Sequence, residues 1–340
     1  MKNSHIVIGF LTCYLLLASC GLAQEAEMLE LPDLTAITLD GEPLNVVATT
    51  SIIGDVVSQV GGDAIKLTTL IKAGQDPHAY EPVARDLASV SKAHVVFING
   101  WDLEENFLEI LEEVSSSPLV PVSANLVPLE ATEHHDHEKE SEAHDDHDEQ
   151  SEHAEHAHHD EADPHTWQSI HNVVQWVKNI QQVLTTLDPA QANTYEANAA
   201  QYLDDLEKLA LYAETELAKI PAHRRFIVSN HSSFAYLAND YDLEVIGTII
   251  PSSSTLAEPS AADLVDLVEE LRFHNLCTLF TETTVTSRLA QTVANELSDC
   301  ETVQILPLYT GALGEVGSGA DSYIMMMRSN IDTLVLGLAD

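Results

Sequence analysis

Apolar positions along this chain follow two alternating rhythms. Short runs rich in Val, Ile and Leu occupy 44–50, 66–71, 94–98 and 119–122, and each reads as a buried strand. Between them, 52–60, 82–91 and 103–114 repeat apolar residues at helical spacing, and 167–187 does so again further on. The alternation resumes late in the chain, with strands over 226–230, 244–250, 277–281 and 302–308. Helices are expected over 259–274 and 286–298, and 321–338 closes the chain as a last helix. Strand–helix alternation of this kind predicts an α/β fold whose parallel sheets are covered on both faces by helices.

The stretch 188–220 breaks the rhythm. Asp188 suits an N-cap and Pro189 the first helical position, and Tyr202, Leu206, Leu209, Ala213 and Leu217 then mark one helix face. A helix of that span would be about 45 Å long, more than one small domain needs, so a helix spanning two lobes is expected. The division that follows is a first lobe over 45–187, a linking helix over 188–220 and a second lobe over 221–340.

One segment has no rhythm. Residues 133–161 hold nine histidines and thirteen carboxylates, with Lys139 as the only basic side chain. With no aliphatic group larger than alanine, the segment cannot offset chain entropy by burial, and a disordered loop is expected. Imidazole and carboxylate together are ligands for zinc and neighbouring divalent metals, so the tract reads as a weak metal collector or sensor. The plainer reading is a solvated spacer. Its acids account for only part of the formal net charge of −41, which excludes nucleic acid as a partner. An acidic surface of that size suits an exported protein that attracts cations, or a salty habitat.

The first residues read as a targeting segment: Lys2, then an apolar run over 6–18, too short to span a bilayer permanently. Leu17-Ala18-Ser19-Cys20 resembles the bacterial lipobox, which implies a signal over 1–19, lipidation of Cys20 and a membrane-anchored tether over 20–44. Ordinary cleavage after Ala23 is the alternative. Cys277 and Cys300 are then the only cysteines left in the folded part. In an exported domain they most simply form a disulfide, with stabilisation of about 3 kcal/mol, against the alternative of a buried free thiol.

Two copies of one tripeptide, Asp76-Pro77-His78 and Asp163-Pro164-His165, flank the acidic tract. Proline biases its neighbour to extended backbone, so each histidine is presented from a defined turn. His231 directly follows an apolar strand, at the carboxyl end where open parallel sheets bind ligands, and His78 follows the second strand in the same way. Singly, each would more often be a hydrogen-bonded structural residue. His94, His171, His223 and His274 are read as structural, surface or packing histidines, and Met325, Met326 and Met327 as core positions.

Several further motifs occur in a fixed order. Asp76-Pro77-His78-Ala79-Tyr80-Glu81-Pro82 runs into Arg85-Asp86, and Ala93-His94-Val95-Val96-Phe97-Ile98-Asn99-Gly100 follows. Asp163-Pro164-His165-Thr166-Trp167, Asn230-His231-Ser232-Ser233-Phe234-Ala235-Tyr236, Glu258-Pro259-Ser260 and Ala320-Asp321-Ser322-Tyr323 complete the set, with Met326-Met327-Arg328-Ser329-Asn330. Over 45–340 the chain resembles the metal-binding proteins of ABC importers for zinc and manganese, the ZnuA-like solute-binding proteins.

The resemblance implies two α/β lobes joined by a rigid long helix, with a metal ion between them. By matching position it implies four ligands, His78, His165, His231 and Asp321. Three imidazoles and one carboxylate suit tetrahedral zinc, whereas manganese-binding relatives generally carry a carboxylate where His231 stands. The expected role is capture of Zn2+, with Mn2+ the alternative, and delivery to an ABC permease and, indirectly, its cytoplasmic ATPase. The protein is expected as a monomer, lipid-anchored on the outer face of the cytoplasmic membrane. Adhesin-type members share such a site. A zinc hydrolase is disfavoured, because four protein ligands leave no open position for water and no His-Glu-x-x-His motif occurs. Gln168-Ser169 and Trp101-Asp102 depart from the family's commoner residues without touching an implied ligand.

Overall fold

A computed structural model describes residues 28–130 and 162–339. The signal segment, Cys20 and the tract over 133–161 lie outside the described residues.

The first lobe is a four-stranded parallel sheet in the order β2-β1-β3-β4, made of β1 (Leu44–Ala48), β2 (Ile65–Thr69), β3 (Val95–Ile98) and β4 (Leu119–Pro121). Because all four strands run the same way, their carboxyl ends share one edge. Val46, Val47, Val95, Val96 and Phe97 are all buried, which is why these strands read as continuous apolar runs rather than alternating ones. The connecting helices are α1 (Ser51–Gly61), α2 (Ala84–Val90) and α3 (Glu105–Val114). The first strand is shorter than its apolar run because Thr50 caps α1, its hydroxyl accepting the Ile53 N–H at 3.2 Å.

After residue 162, a 3-10 turn at Thr166–Gln168 precedes α4 (Ile170–Leu187), whose cap is Ser169. The linking helix α5 (Ala192–Leu217) follows a 3-10 turn at Pro189–Gln191. Its 26 residues make it about 39 Å long, shorter than the span 188–220 because a cap and 3-10 turn occupy 188–191 and a closing turn 218–220. The face bearing Tyr195, Ala199, Tyr202, Leu206, Leu209, Ala213 and Leu217 is buried. This face packs on α1 and α4 and also on α9 (Tyr323–Leu338) of the second lobe, so one apolar core is continuous across both lobes. A joint filled in this way resists bending, since close-packed side chains must be displaced before the lobes can rotate.

The second lobe contains β5 (Phe226–His231), α6 (Ala235–Tyr241), β6 (Glu244–Ile250), α7 (Ala261–Phe273), β7 (Thr278–Glu282), α8 (Arg288–Glu296) and β8 (Gln304–Leu308). β5 pairs in parallel with β6, β7 with β8, and β5 lies beside β7. The short helix α6 is not announced by periodicity, since seven residues make only two turns. Cys277 and Cys300 form a disulfide, with Cα atoms 5.8 Å apart, that ties the start of β7 to the approach to β8. Met326 and Met327 are core residues as expected, while Met325 faces outward. His94 is structural: its Nδ1 accepts the Asn45 N–H at 3.0 Å. His274 packs on Phe226, His171 reaches Asp240, and His223 is exposed.

The segment expected as a tether is laid onto the first lobe from Met28 onward. Leu31, Leu34, Ile37 and Leu39 pack against the core while Glu30 and Asp33 face outward. Two backbone bonds fasten it, Asn125 N–H to the Leu29 carbonyl at 2.8 Å and Ile37 N–H to the Leu187 carbonyl at 3.0 Å. A turn at Asp40 and Gly41, both with positive φ, then feeds β1.

Candidate metal centre

Three of the expected ligands meet where the lobes face each other. His78 lies in the loop after β2, His165 just before the turn that opens α4, and His231 is the last residue of β5. All three are buried, at 7%, 0% and 1% exposure. His165 Nε2 stands 3.3 Å from His78 Nε2 and 3.0 Å from His231 Nε2. Their ligating nitrogens all lie within 4.8 Å of one another, and among the described residues this is the group placed to hold a metal ion.

A carboxylate bonds the backbone of each histidine, and for His165 and His231 it also reaches the ring Nδ1. Asp163 Oδ1 accepts the His165 backbone N–H at 2.8 Å and contacts its Nδ1 at 2.7 Å. In the first tripeptide Asp76 Oδ1 accepts the His78 backbone N–H at 3.0 Å, and its other oxygen accepts the Thr255 hydroxyl of the second lobe at 2.6 Å. The repeated sequence therefore makes the same local turn twice, with aspartate bonding to the backbone two residues on. Glu282, the last residue of β7, does the equivalent for His231. It accepts that residue's backbone N–H at 3.1 Å and also bonds its Nδ1. A carboxylate on Nδ1 fixes the ring so that the Nε2 lone pair faces the centre, and it raises the basicity of that nitrogen.

A further set of bonds couples these supports. Glu282 Oε2 accepts the Thr310 hydroxyl at 2.6 Å, and the Thr310 carbonyl accepts the Trp167 indole N–H at 2.6 Å and a Gln168 amide N–H at 3.3 Å. The backing of His231 is thus joined to the turn that carries His165. On the first lobe, Asn99 donates to the Pro164 carbonyl at 2.8 Å. Glu104 is buried beneath it, accepting the Asn99 N–H at 2.8 Å and the Thr49 hydroxyl at 2.7 Å. Burial raises the pKa of Glu104, opposed by these same donors.

Electrostatics favour neutral, ligating imidazole at one position and a charge-assisted pair at another. Burial, reinforced by the two neighbouring histidines, drives the pKa of His78 well below its ordinary value. Burial also works against protonation of His231, but the Glu282 carboxylate together with Asp76 and Asp163 outweighs it and raises the pKa. Glu282 shows the counterpart: burial acts to raise its pKa, but the His231 ring, helped by the Thr310 hydroxyl and His165, outweighs burial and the net shift is down.

Asp321, the fourth expected ligand, is not in the cluster. Its carboxylate accepts the Gly317 backbone N–H at 2.9 Å, in the loop before α9. Beside His78 is a small cavity of about 60 Å³, lined also by Trp101, Asp102, Asn106, Pro164 and Ala162 of the first lobe and by Ser253 and Ser254 of the second. Ala162 and Glu130, which flank the acidic tract, pair as an antiparallel bridge. Sequence reasoning missed Glu282, Thr310 and Asn99. The available signal was the acid that ends the apolar run Thr278-Leu279-Phe280-Thr281-Glu282, at the sheet edge where ligands bind.

A two-lobed α/β protein with three histidines converging where its lobes face each other defines a metal-binding protein of the solute-receptor type. The chain belongs to the ZnuA family, described as the periplasmic component A of the zinc-uptake complex, whose model matches residues 46–337. It is 34% identical over 309 residues to a manganese-binding lipoprotein MntA of Halalkalibacterium halodurans, covering 90% of this chain and 92% of that one. It is 32% identical over 306 residues to the manganese ABC transporter substrate-binding lipoprotein PsaA of Streptococcus pneumoniae, covering 89% and 91%. The periplasmic zinc-binding protein TroA of Treponema pallidum superposes with a TM-score of 0.74 at 26% identity, covering 88% of this chain and all of that one. The chain is therefore an extracytoplasmic, membrane-anchored metal-binding protein of the ABC substrate-binding class, a class of binding proteins rather than enzymes. No helix among the described residues is long and apolar enough to cross a membrane.

Proposed function

We propose that this protein captures zinc at His78, His165 and His231, with Asp321 as fourth ligand, and delivers it to the permease of an ABC importer. The observation that carries the reading is the third imidazole: His231 Nε2 stands 3.0 Å from His165 Nε2, in a buried site. A set dominated by imidazole suits zinc, whereas manganese is better served by harder oxygen ligands and binds nitrogen sites more weakly. Asp321 lies in the loop before α9, where its carboxylate accepts the Gly317 N–H and the loop is closed by a Gly314 N–H to Ala320 carbonyl bond at 2.9 Å. Release of that carboxylate from Gly317 and its approach to the three rings would complete a tetrahedral shell. The acidic tract starts and ends at the Glu130–Ala162 bridge, and Ala162 lines the cavity beside His78, so metal loosely held by the tract would be released next to the site.

Manganese is the second reading, favoured by the names of the relatives at 34% and 32% identity. Competition binding with chelators on metal-free protein lacking residues 1–20 separates the two. Zinc is expected to bind tighter than manganese by about 1000-fold or more. Equal affinity, or a preference for manganese, would overturn the zinc assignment while leaving the site in place.

A further inference from the structure

Residues 28–43 run along the first lobe from one end of its sheet to the other. At the upper end Leu29 is bonded through its carbonyl to Asn125, and its Cδ1 lies 2.5 Å from where a Cβ on Gly100 would be. Gly100, at φ +90°, is a position glycine occupies at little cost. Gly100 follows β3 and Asn125 follows β4, so Leu29 stands at the carboxyl edge of the sheet. Trp101, the next residue, lines the cavity beside His78. At the lower end Ile37 is bonded to Leu187, the last residue of a helix that begins near His165 and runs away from it. The turn at Asp40 and Gly41 then sends β1 back towards the site. Strand direction and helix direction agree that the chain leading back to Cys20 departs from the edge that carries the three imidazoles.

We infer that this strap orients the anchored protein, holding its metal-binding edge towards the lipid surface. The inference rests on Cys20 as the anchor point and on the membrane-anchored reading given above. Whatever path residues 21–27 take, the eight steps from Cys20 to Met28 reach no further than about 28 Å. If the strap were free, the reach to Gly41 would be about 75 Å and the body could turn over completely. The inward Leu31, Leu34, Ile37 and Leu39 prevent this by packing on the core, with Glu30 and Asp33 turned to solvent. A short tether from the site edge also raises the effective concentration of the loaded site at a membrane partner, by the same geometry that governs any linked pair.

The test uses full-length lipidated protein on phosphatidylcholine vesicles carrying an acceptor dye on a fraction of the headgroups. A donor dye is placed at Glu105→Cys, beside the site edge, or at Lys66→Cys, at the start of β2 and the opposite end. The two positions are separated by strands of about 17 Å and their flanking loops, so transfer from residue 105 should exceed that from residue 66 by roughly twofold or more. Releasing the strap with Leu31→Asp and Leu34→Asp should bring the two signals together. A flexible insertion between Gln24 and Glu25, which leaves the strap untouched, should do the same. Equal transfer from both positions in the unaltered protein would overturn the inference, as would a difference that survives the insertion. Protein that fails to float with vesicles and carries no lipid on Cys20 would remove its premise, without touching zinc binding by the soluble chain.

Discussion

Replacing His165 by alanine should abolish tight metal binding. His165 is the central ring of the three, the one whose Nε2 lies within 3.3 Å of both others. Without it, the ring that bridges His78 and His231 is gone and only three of the four proposed ligands remain. A structural zinc site is worth about 10–16 kcal/mol shared over four ligands, so losing one should lower affinity by about 100- to 1000-fold. The measurement is chelator competition with the tract over 133–161 also deleted, so that its nine histidines do not mask the loss. Circular dichroism of the metal-free variant serves as the control, because the ring is buried and its removal leaves a small cavity. Unchanged tight binding in a folded variant would remove His165 from the site.

Glu282→Gln should produce the next largest effect, although Glu282 is not among the proposed ligands. The carboxylate holds His231 through both backbone N–H and ring nitrogen, and its second oxygen is engaged by Thr310. Glutamine keeps the volume but loses the charge that orients and polarises the imidazole. Outer ligands of this kind typically contribute 10- to 100-fold in metal affinity, and about that loss is expected here. Titration calorimetry of the variant checks it, with the disulfide and apolar core of the second lobe expected to keep the fold intact. Affinity equal to the parent protein would mean that His231 is positioned by the strand alone.

The two largest features of the molecule were readable from sequence because each leaves a periodic or repeated signal. Buried parallel strands write themselves as runs of Val, Ile and Phe, and the paired Asp-Pro-His tripeptides mark two turns that the structure builds alike. As the two cysteines of the folded part, Cys277 and Cys300 have no other partner to choose, and they are bonded. What stayed hidden depends on contacts between distant residues. Glu282 meets His231 across 51 residues of sequence, and nothing local separates it from the many surface acids of this chain. The strap reads as a tether from its acids and prolines, whereas its inward positions, Leu29, Leu31, Leu34, Ile37 and Leu39, repeat with a two- or three-residue spacing. That irregular spacing matches neither helix nor strand, and only the core it packs against gives it meaning. Asp321 shows the opposite difficulty: the motif is clear in sequence, yet its carboxylate lies outside the cluster, bonded to Gly317.

The central claim is that one zinc ion is held by three histidines and Asp321 between the lobes. Anomalous diffraction at the zinc absorption edge, from crystals of the zinc-loaded protein, tests it most directly. The account predicts one strong peak within about 2.0–2.2 Å of the Nε2 atoms of His78, His165 and His231 and of an Asp321 oxygen. A peak elsewhere, or a shell completed by another side chain while Asp321 stays on Gly317, would contradict it.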